Sequence, residues 1–501
     1  MPEYPLIFRT IAHNAVLIPN KIAIIEAETD RKCTYAELWA YIKEFSKYLN
    51  TSAEVVHNFG DGYGTRVVVR CTQTIDFIVA FLAIQLAGGV AVPIEKNIAD
   101  ARIIEIMEET DSSILISAFP LTNYKCTFIP LYYATKEHNN IDDTIITFPD
   151  LNALAVILFT TGTTGKSKGV MHSHKSFSIR SKYIFSIFNH DNEQIWLIPN
   201  PLSHVNGLFR IYITFLSGCT SVLLDGYLFS KAFFSAVEQY KVTILNLLFA
   251  ATEMYLRMFK KALIEIHNQI NYICLSSSSF SEAQIIALRE IFPTSQIIEL
   301  YGSTEAWGCF IDHSSQKNSS SCIGQSGPGA RVAFYNEEKN KIINTSAQNP
   351  GLFALSSDAN MMGYWKNPEL TSSVIRDSYI ILSDLGYQGE DGQFYFIGRA
   401  DDVITSGSYK ISPLEIEEVA NSFDGIRESA CIAVKDPIMG QVPKLYVVME
   451  KSNIFNYAEI YNFLKNKLEV TKIPRYIEEI SVIPKINNKI NRKELKLEKG
   501  Y

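Results

Sequence analysis

The sequence predicts an α/β fold, on three observations. Up to about residue 300, helical periodicity alternates with short β-branched runs, the pattern of parallel sheets wrapped by helices. From about 320 to 400, short strands are separated by Gly, Asn and Asp turns, in the style of a small barrel or antiparallel sheet. After Arg399 a third style begins, a loop followed by helix, strand and helix, which places a domain junction near 400.

The elements follow from local pattern in chain order. Tyr35 to Leu49 reads as a helix, Arg66 to Arg70 as a strand and Thr74 to Ala87 as a helix. Gly89 to Pro93 and Ser113 to Ser117 read as strands. The stretch from Phe77 to Ile94 approaches the length of a membrane span. Gly88-Gly89 and Pro93 divide it, however, into a buried helix followed by a strand, so no stable membrane insertion is expected. Ala153 to Phe159 is short and branched, a buried strand; Gly169-Val170-Met171 looks extended, and a helical pattern starts near His174. Gln296 to Leu300 is another apolar strand, and the Ser-rich run His313 to Ser321 reads as an exposed loop. No internal repeat is present.

Composition narrows the class. A chain of 501 residues, 47% hydrophobic and 20% charged, can bury a large core. A net charge of −7 and a pI near 5.8 argue against a dedicated nucleic-acid binder. Its 26 tyrosines and 29 phenylalanines are spread through apolar segments, which suits core packing better than base stacking. Eight cysteines show no CxxC and no short Cys/His spacing, which fits reduced thiols in a cytoplasmic protein rather than a disulfide frame or zinc site. The start, MPEYPLIFRTIAHNA, lacks the basic-then-apolar layout of a signal peptide.

Chemistry concentrates in a few segments. Residues 158–170, LFTTGTTGKSKGV, place a hydroxyl-rich glycine turn directly after a strand. Glycines let backbone N–H groups converge, threonines add donors and lysine adds charge, all of which suits a phosphate. The Walker spacing fails, because its first glycine would fall at Thr160 and no helix starts at Lys166. A polar surface turn is the plain alternative. Tyr301-Gly302-Ser303-Thr304-Glu305 combines an aromatic face, a backbone-only position, a hydroxyl and a carboxylate able to hold Mg²⁺. A strand-to-turn junction with a helix cap would give the same letters. Asp384, in Ser-Asp-Leu-Gly, and Arg399, in Gly-Arg-Ala-Asp-Asp, suit a ribose or phosphate, or else a pair of β-turns with a surface salt bridge. Near the C-terminus an Asn487-Asn488 turn presents Lys489, which would otherwise belong to a solvated basic tail.

Taken together and in order, these segments resemble the adenylate-forming superfamily of acyl- and aryl-CoA synthetases, adenylation domains and luciferases, across nearly the whole chain. Thr34-Tyr35-Ala36-Glu37-Leu38 and Ala87 to Pro93 resemble its early landmarks. Pro201-Leu202-Ser203-His204-Val205-Asn206-Gly207 resembles its substrate-side histidine motif, and Ile411 to Glu417 its C-terminal domain entry. The resemblance implies an α/β large N-terminal domain, residues 1–400, of two helix-wrapped sheets plus a small distorted β-barrel. A small mobile α+β C-terminal domain, residues 401–501, would follow.

It also implies roles. ATP would be held by Thr160, Thr161, Gly162, Thr163, Thr164, Gly165, Lys168, Ser277, Ser278, Tyr301, Gly302, Asp384 and Arg399. Within that set, Thr161 to Thr164 and Lys168 would take the β- and γ-phosphates. Thr304 would contact the α-phosphate and Glu305 would hold Mg²⁺. Lys489 would bridge carboxylate and α-phosphate oxygens, with Asp401 as the hinge. His204, Phe209, Phe249 and Trp307 would line the acid pocket, and Gly407 and Ser408 the thiol tunnel. The expected reaction is ATP-dependent activation of a small carboxylic acid, then transfer to CoA or to a carrier protein's phosphopantetheine. A catalytically silent nucleotide- or acyl-binding protein is the reading from another class.

Several positions depart from the family pattern. Ser167 replaces a proline of the phosphate loop, loosening the turn; Ser276 to Ser279 replace a Gly/Ala/Pro-rich turn beside adenine; Glu299 and Leu300 replace Gln-Gly or similar residues. Ser408 takes a usual glycine, Thr405 a common lysine, and Asn487-Asn488 the usual residue-Gly before the catalytic lysine. Near His204 no carboxylate is available for an α-ammonium, so an acid without an α-amine is expected. The bulk of Trp307 points to a short, medium-chain or aromatic acid, unless it packs behind the site. Arg210 is read as a surface arginine rather than a partner for a second carboxylate.

Overall fold

The computed structural model describes every residue except 1–5, 59, 123, 137–146, 162–166, 189–190, 227–229, 277–279, 315–320, 407–408, 451–452, 487–488 and 498–501. Among the described residues the strands form sheets of fifteen, seven and five, with a separate two-stranded hairpin.

The largest sheet has a parallel half, ordered Gln296–Gly302, Tyr272–Ser276, Ile244–Leu248, Ile195–Ile198, Thr220–Leu223 and Ile22–Glu26. Its other half is antiparallel, starting at Trp307–Asp312 and ending at the edge strand Lys341–Ile343. The expected small barrel is not closed. Gln296–Gly302 pairs with Tyr272–Ser276 on one side and Trp307–Asp312 on the other, so the antiparallel strands prolong the parallel sheet. Register shifts within these pairs, as between Leu385 and Gly386, bend the ribbon without closing it.

The second sheet runs Gly363–Tyr364, Ser167–Ser173, Leu154–Thr161, Val90–Ile94, Arg66–Arg70, Ile114–Ser117 and Thr127–Pro130. Between the two lies the largest apolar core, fed by helix Ile75–Leu86, which is buried at every position except Asp76. That burial explains its membrane-like composition, and among the described residues no helix is long and apolar enough to cross a membrane. Its expected ends shrink by one residue each: Thr74 caps it by accepting from Phe77 N–H, and Gly88 leaves it at φ +85°. Helix Tyr35–Ser52 starts at a capping box, in which Thr34 and Glu37 satisfy each other's backbone N–H groups.

Beyond Arg399, helix Pro413–Asn421 packs on the antiparallel pair Ile426–Asp436 and Gly440–Met449. Tyr476–Glu479 adds a parallel edge and helix Tyr457–Lys467 covers the same core, which shares no members with the cores before residue 400. The expected loop after Arg399 contains two short strands, Ile404–Ser406 and Tyr409–Ile411.

Candidate active site

A cleft of about 2640 Å³ opens at the carboxyl ends of the parallel strands and extends towards the C-terminal unit. Ligand pockets usually measure about 300–1,000 Å³, so this one has room for more than one substrate. Strand Gln296–Gly302 runs into it and turns back at Ser303–Ala306 into Trp307–Asp312, so YGSTE is the tip of a β-hairpin and not a helix cap.

Three elements hold that tip. At Gly302 a Cβ would lie 2.8 Å from the Ala306 carbonyl and 3.2 Å from Arg180 Nη2, so only a bare backbone fits. Ser303 O accepts from Arg180 Nη1 at 2.9 Å, and Thr304 O accepts from His172 Nε2 at 2.8 Å. A carbonyl only accepts, which puts the imidazole proton on Nε2 and leaves Nδ1 facing Ser176 Oγ at 3.2 Å. Burial, and then the charge of Arg180, push the His172 pKa down to about 3, so this histidine is a neutral strut.

Glu305 meets the hairpin of Leu154–Thr161 and Ser167–Ser173 through an edge strand. Gly363–Tyr364 pairs with Met171 and Val170, which sets the Tyr364 O–H donating to Glu305 Oε1 at 2.9 Å. The same ring lies 5.3 Å from Lys168 Nζ. Lys168 stands opposite Thr160 across the hairpin, and Thr161 opposite Ser167. Ser167 is thus a ladder residue at the start of its strand. The side chain of Thr161 and all of Gly162, Thr163, Thr164 and Gly165 lie outside the described residues.

On the far side of the tip, Asp384 and Arg399 face each other on neighbouring strands, with Nε and Oδ1 4.0 Å apart. Tyr301 O–H donates to Asp384 Oδ2 at 2.9 Å. Burial, reinforced by that carboxylate, pushes the phenol far above its usual range, so Tyr301 remains a donor. Its ring packs at 5.1 Å from Phe353 and 6.0 Å from Phe396. Asp401 is exposed in a turn where Arg399 O accepts from the N–H groups of Asp402 and Val403.

The residues expected at the acid pocket differ from one another. His204 starts helix Val205–Ser217, half-exposed, with Nε2 3.6 Å from Glu95. Phe249 is partly exposed, while Phe209 is buried against Phe177 at 4.4 Å. Trp307 is fully buried and its indole N–H donates to Pro328 O at 3.0 Å, so it packs as part of the wall behind the hairpin tip. Arg210 is not at the surface. It is 1% exposed, donating through Nε to Asn246 Oδ1 at 2.7 Å and through Nη2 to Cys274 Sγ at 2.9 Å. Ser276 is buried and its Oγ accepts from Asn206 Nδ2 at 2.7 Å; Ser277, Ser278, Gly407 and Ser408 lie outside the described residues.

Lys489 is placed by backbone only: Lys489–Ile490 pairs with Lys485–Ile486 as a hairpin, and its side chain lies outside the described residues. The hairpin is pinned by Arg492, whose Nη2 donates to both Glu417 oxygens at 2.6 and 2.8 Å and whose Nε donates to Cys431 O at 3.1 Å. Sequence reading missed His172, Arg180 and Tyr364, which touch the site across sheets. It also missed His313, which buries its Nε2 2.9 Å from Glu299 Oε2. The one available hint was an arginine, Arg180, amid the apolar and small residues of Phe177 to Ser181.

Two family models match the chain, "AMP-binding enzyme" over residues 11–365 and "AMP-binding enzyme C-terminal domain" over 415–489. Similar proteins include a long-chain-fatty-acid–CoA ligase of Bacillus subtilis (strain 168), 24% identical over 96% of this chain and 93% of its own. ATP-bound MatB from Rhodopseudomonas palustris superposes with a TM-score of 0.85 at 21% identity, covering 97% of this chain and 98% of that one. The o-succinylbenzoate CoA synthetase MenE from Bacillus subtilis, in complex with ATP and magnesium, reaches 0.83 at 22% identity, over 97% and 99%.

Proposed function

The chain belongs to the AMP-binding enzyme family, and from that premise we infer that it activates a carboxylic acid with ATP and transfers the acyl group to CoA. The observation that carries this reading is the convergence, in one cleft, of Lys168, Tyr364 and Glu305 on one side of the hairpin tip with Asp384 and Arg399 on the other.

In the first step a carboxylate oxygen attacks the α-phosphorus and the bond to the β-phosphate oxygen breaks, releasing pyrophosphate. The thiol sulfur then attacks the acyl carbon, loses its proton, and AMP departs with the electrons of the broken C–O bond. Thr160, Thr161, Gly162, Thr163, Thr164, Gly165 and Lys168 hold the phosphates, Thr304 the α-phosphate, and Tyr301, Asp384 and Arg399 the nucleoside. Ser277 and Ser278 flank the base, and Gly407 and Ser408 the thiol path. Lys489 steadies the charge that develops between the two anions. His204, Phe209, Phe249 and Trp307 shape the acid side.

Among the described residues no cluster of three or more His, Cys, Asp and Glu side chains forms a protein-only metal cage. Glu305 alone fits Mg²⁺, which takes one or two carboxylates and completes its shell with phosphate oxygens and water. When bound, the ion neutralises phosphate charge. A boundary at 400/401, with residues 1–400 and 401–501 as domains and Asp401 as the hinge, is supported by the separate cores on either side. Eight free cysteines support a cytoplasmic location.

The test is acid-dependent exchange of labelled pyrophosphate into ATP over fatty, aryl, hydroxy and amino acids. Exchange with some acid, followed by thioester formation on free CoA, is the expected result. Transfer only to a carrier protein's phosphopantetheine would replace CoA as acceptor, and no exchange with any acid would favour the silent nucleotide- or acyl-binding protein.

A further inference from the structure

Residues 361–365 stitch the hairpin tip of one sheet to a hairpin strand of the other. Met361 N–H donates to Glu305 O at 2.8 Å, Met362 N–H to Met171 O at 2.8 Å and Trp365 N–H to Gly169 O at 2.7 Å. Within this clip Tyr364 is 6% exposed, and its own N–H donates to Thr371 Oγ1 at 2.9 Å. At Gly169 a Cβ would lie 3.1 Å from Trp365 Cβ, so the clip runs tight against strand Ser167–Ser173.

The phenol of the clip meets two opposite charges. Its O–H donates to Glu305 Oε1 at 2.9 Å, and Lys168 Nζ stands over its ring, 5.3 Å from the centroid. All three side chains line the cleft. Among the described residues neither Lys168 nor Glu305 comes within ion-pair distance of an opposite charge, although Glu305 acts on Arg180 at longer range. Glu305 Oε2 has no hydrogen-bond partner among the described residues. Opposite charges that open on one cleft attract each other, and pairing would take both from a ligand. Here each has a partner that leaves its charge uncancelled, a neutral O–H for the carboxylate and a ring face for the ammonium.

Resting on the acid-activation reading above, we propose that Tyr364 is a positioning residue for adenylation. Its O–H fixes Glu305 through Oε1 and leaves Oε2 for Mg²⁺, while its ring holds Lys168 as a separate charge for the phosphates. Mg²⁺ takes few protein carboxylates, so a site built on one depends on how that one is held.

Calorimetric titration of the full chain with ATP, at stepped magnesium and in EDTA, tests this alongside pyrophosphate exchange. Tyr364→Phe keeps the ring and removes the O–H. The magnesium concentration at half-maximal ATP binding should rise roughly 10–100-fold, the range for losing a group that orients a metal ligand, with metal-free ATP affinity unchanged. Half-maximal exchange should shift by the same factor at unchanged acid KM. Tyr364→Leu removes the ring as well and should also weaken metal-free ATP by about 2–5-fold. An unchanged magnesium midpoint in Tyr364→Phe would overturn the proposal. So would equal weakening of ATP with and without magnesium, the mark of a merely structural loss. Unchanged metal-free binding in Tyr364→Leu would overturn the part played by Lys168. Tyr364→Phe differs by one oxygen and decides even if Tyr364→Leu does not fold. No exchange with any acid, with the magnesium shift present in Tyr364→Phe, removes the acid-activation reading and leaves the positioning of Glu305.

Discussion

At Thr304 and Glu305, neighbouring residues are held by different means. The Thr304 backbone is fixed from behind by His172, while the Glu305 side chain is fixed from across the cleft by Tyr364. His172 can brace the turn only while neutral. Both it and His174 are lowered by burial to about 3, against roughly 6.5 in an unfolded chain. The unfolded state therefore binds more protons between those values. Stability is fully present above about pH 6.5 and is lost as pH falls towards about 3. Urea midpoints measured across that window should fall with pH, and the fall should be shallower in His172→Gln, which keeps a donor for Thr304 O. An unchanged slope would contradict a neutral buried His172. For Lys489, removal of the charge should cost adenylation roughly 10²–10³ in rate. Lys489→Ala should still convert a supplied acyl-adenylate to the thioester, and equal loss of both half-reactions would sink the assignment.

Elements explain why some segments read true in isolation. The Thr34–Glu37 capping box is written within four consecutive residues and its helix starts where the letters place it. Thr34→Ala removes the acceptor for Glu37 N–H and should cost about 1 kcal/mol, seen as a lower urea midpoint at unchanged m-value. The run from Phe77 to Ile94 is likewise decided locally, since Gly88 reverses the chain at φ +85° before Val90–Ile94 begins. YGSTE was not decided locally. A turn after an apolar strand can open a helix or a hairpin, and the choice was made by the facing strand Trp307–Asp312, whose register with Gln296–Gly302 spans Ile298 to Gly302.

Over the whole molecule, the two units are joined by a continuous chain at Asp401 and, among the described residues, by packing of helix Pro413–Asn421 on strand Phe394–Arg399 and by polar contacts. Arg257 Nη1 lies 3.6 Å from Glu450 Oε1, and Glu282 N–H donates to Glu418 Oε1 at 3.1 Å. Partly exposed pairs of this kind contribute about 0–1 kcal/mol, too little to lock a domain. Rotation about the proposed hinge would draw on backbone freedom at Asp401. Asp401→Pro, which restricts φ, should alter the ratio of adenylation to thioester formation, measured as separate half-reactions. Equal scaling of both would remove Asp401 as a hinge.

Local patterns in the sequence determined the α/β class, the start of helix Tyr35–Ser52, the strands named from the sequence to within a residue or two, and the order of the family segments. Those depend on periodicity, caps and turns, which act over a few neighbouring residues. Closure of the antiparallel strands was not decidable that way, because it depends on which sheet edge is free, and Gln296–Gly302 offers its edge to both halves. Nor was the setting of the site. Tyr364 reaches Glu305 over a separation of 59 residues, Arg180 reaches Ser303 over 123 and His172 reaches Thr304 over 132. Arg210 became buried only because the sheet behind its helix supplied Asn246 and Cys274. Which side chains meet inside the cleft is a property of packing between sheets, and only the tertiary structure decided it.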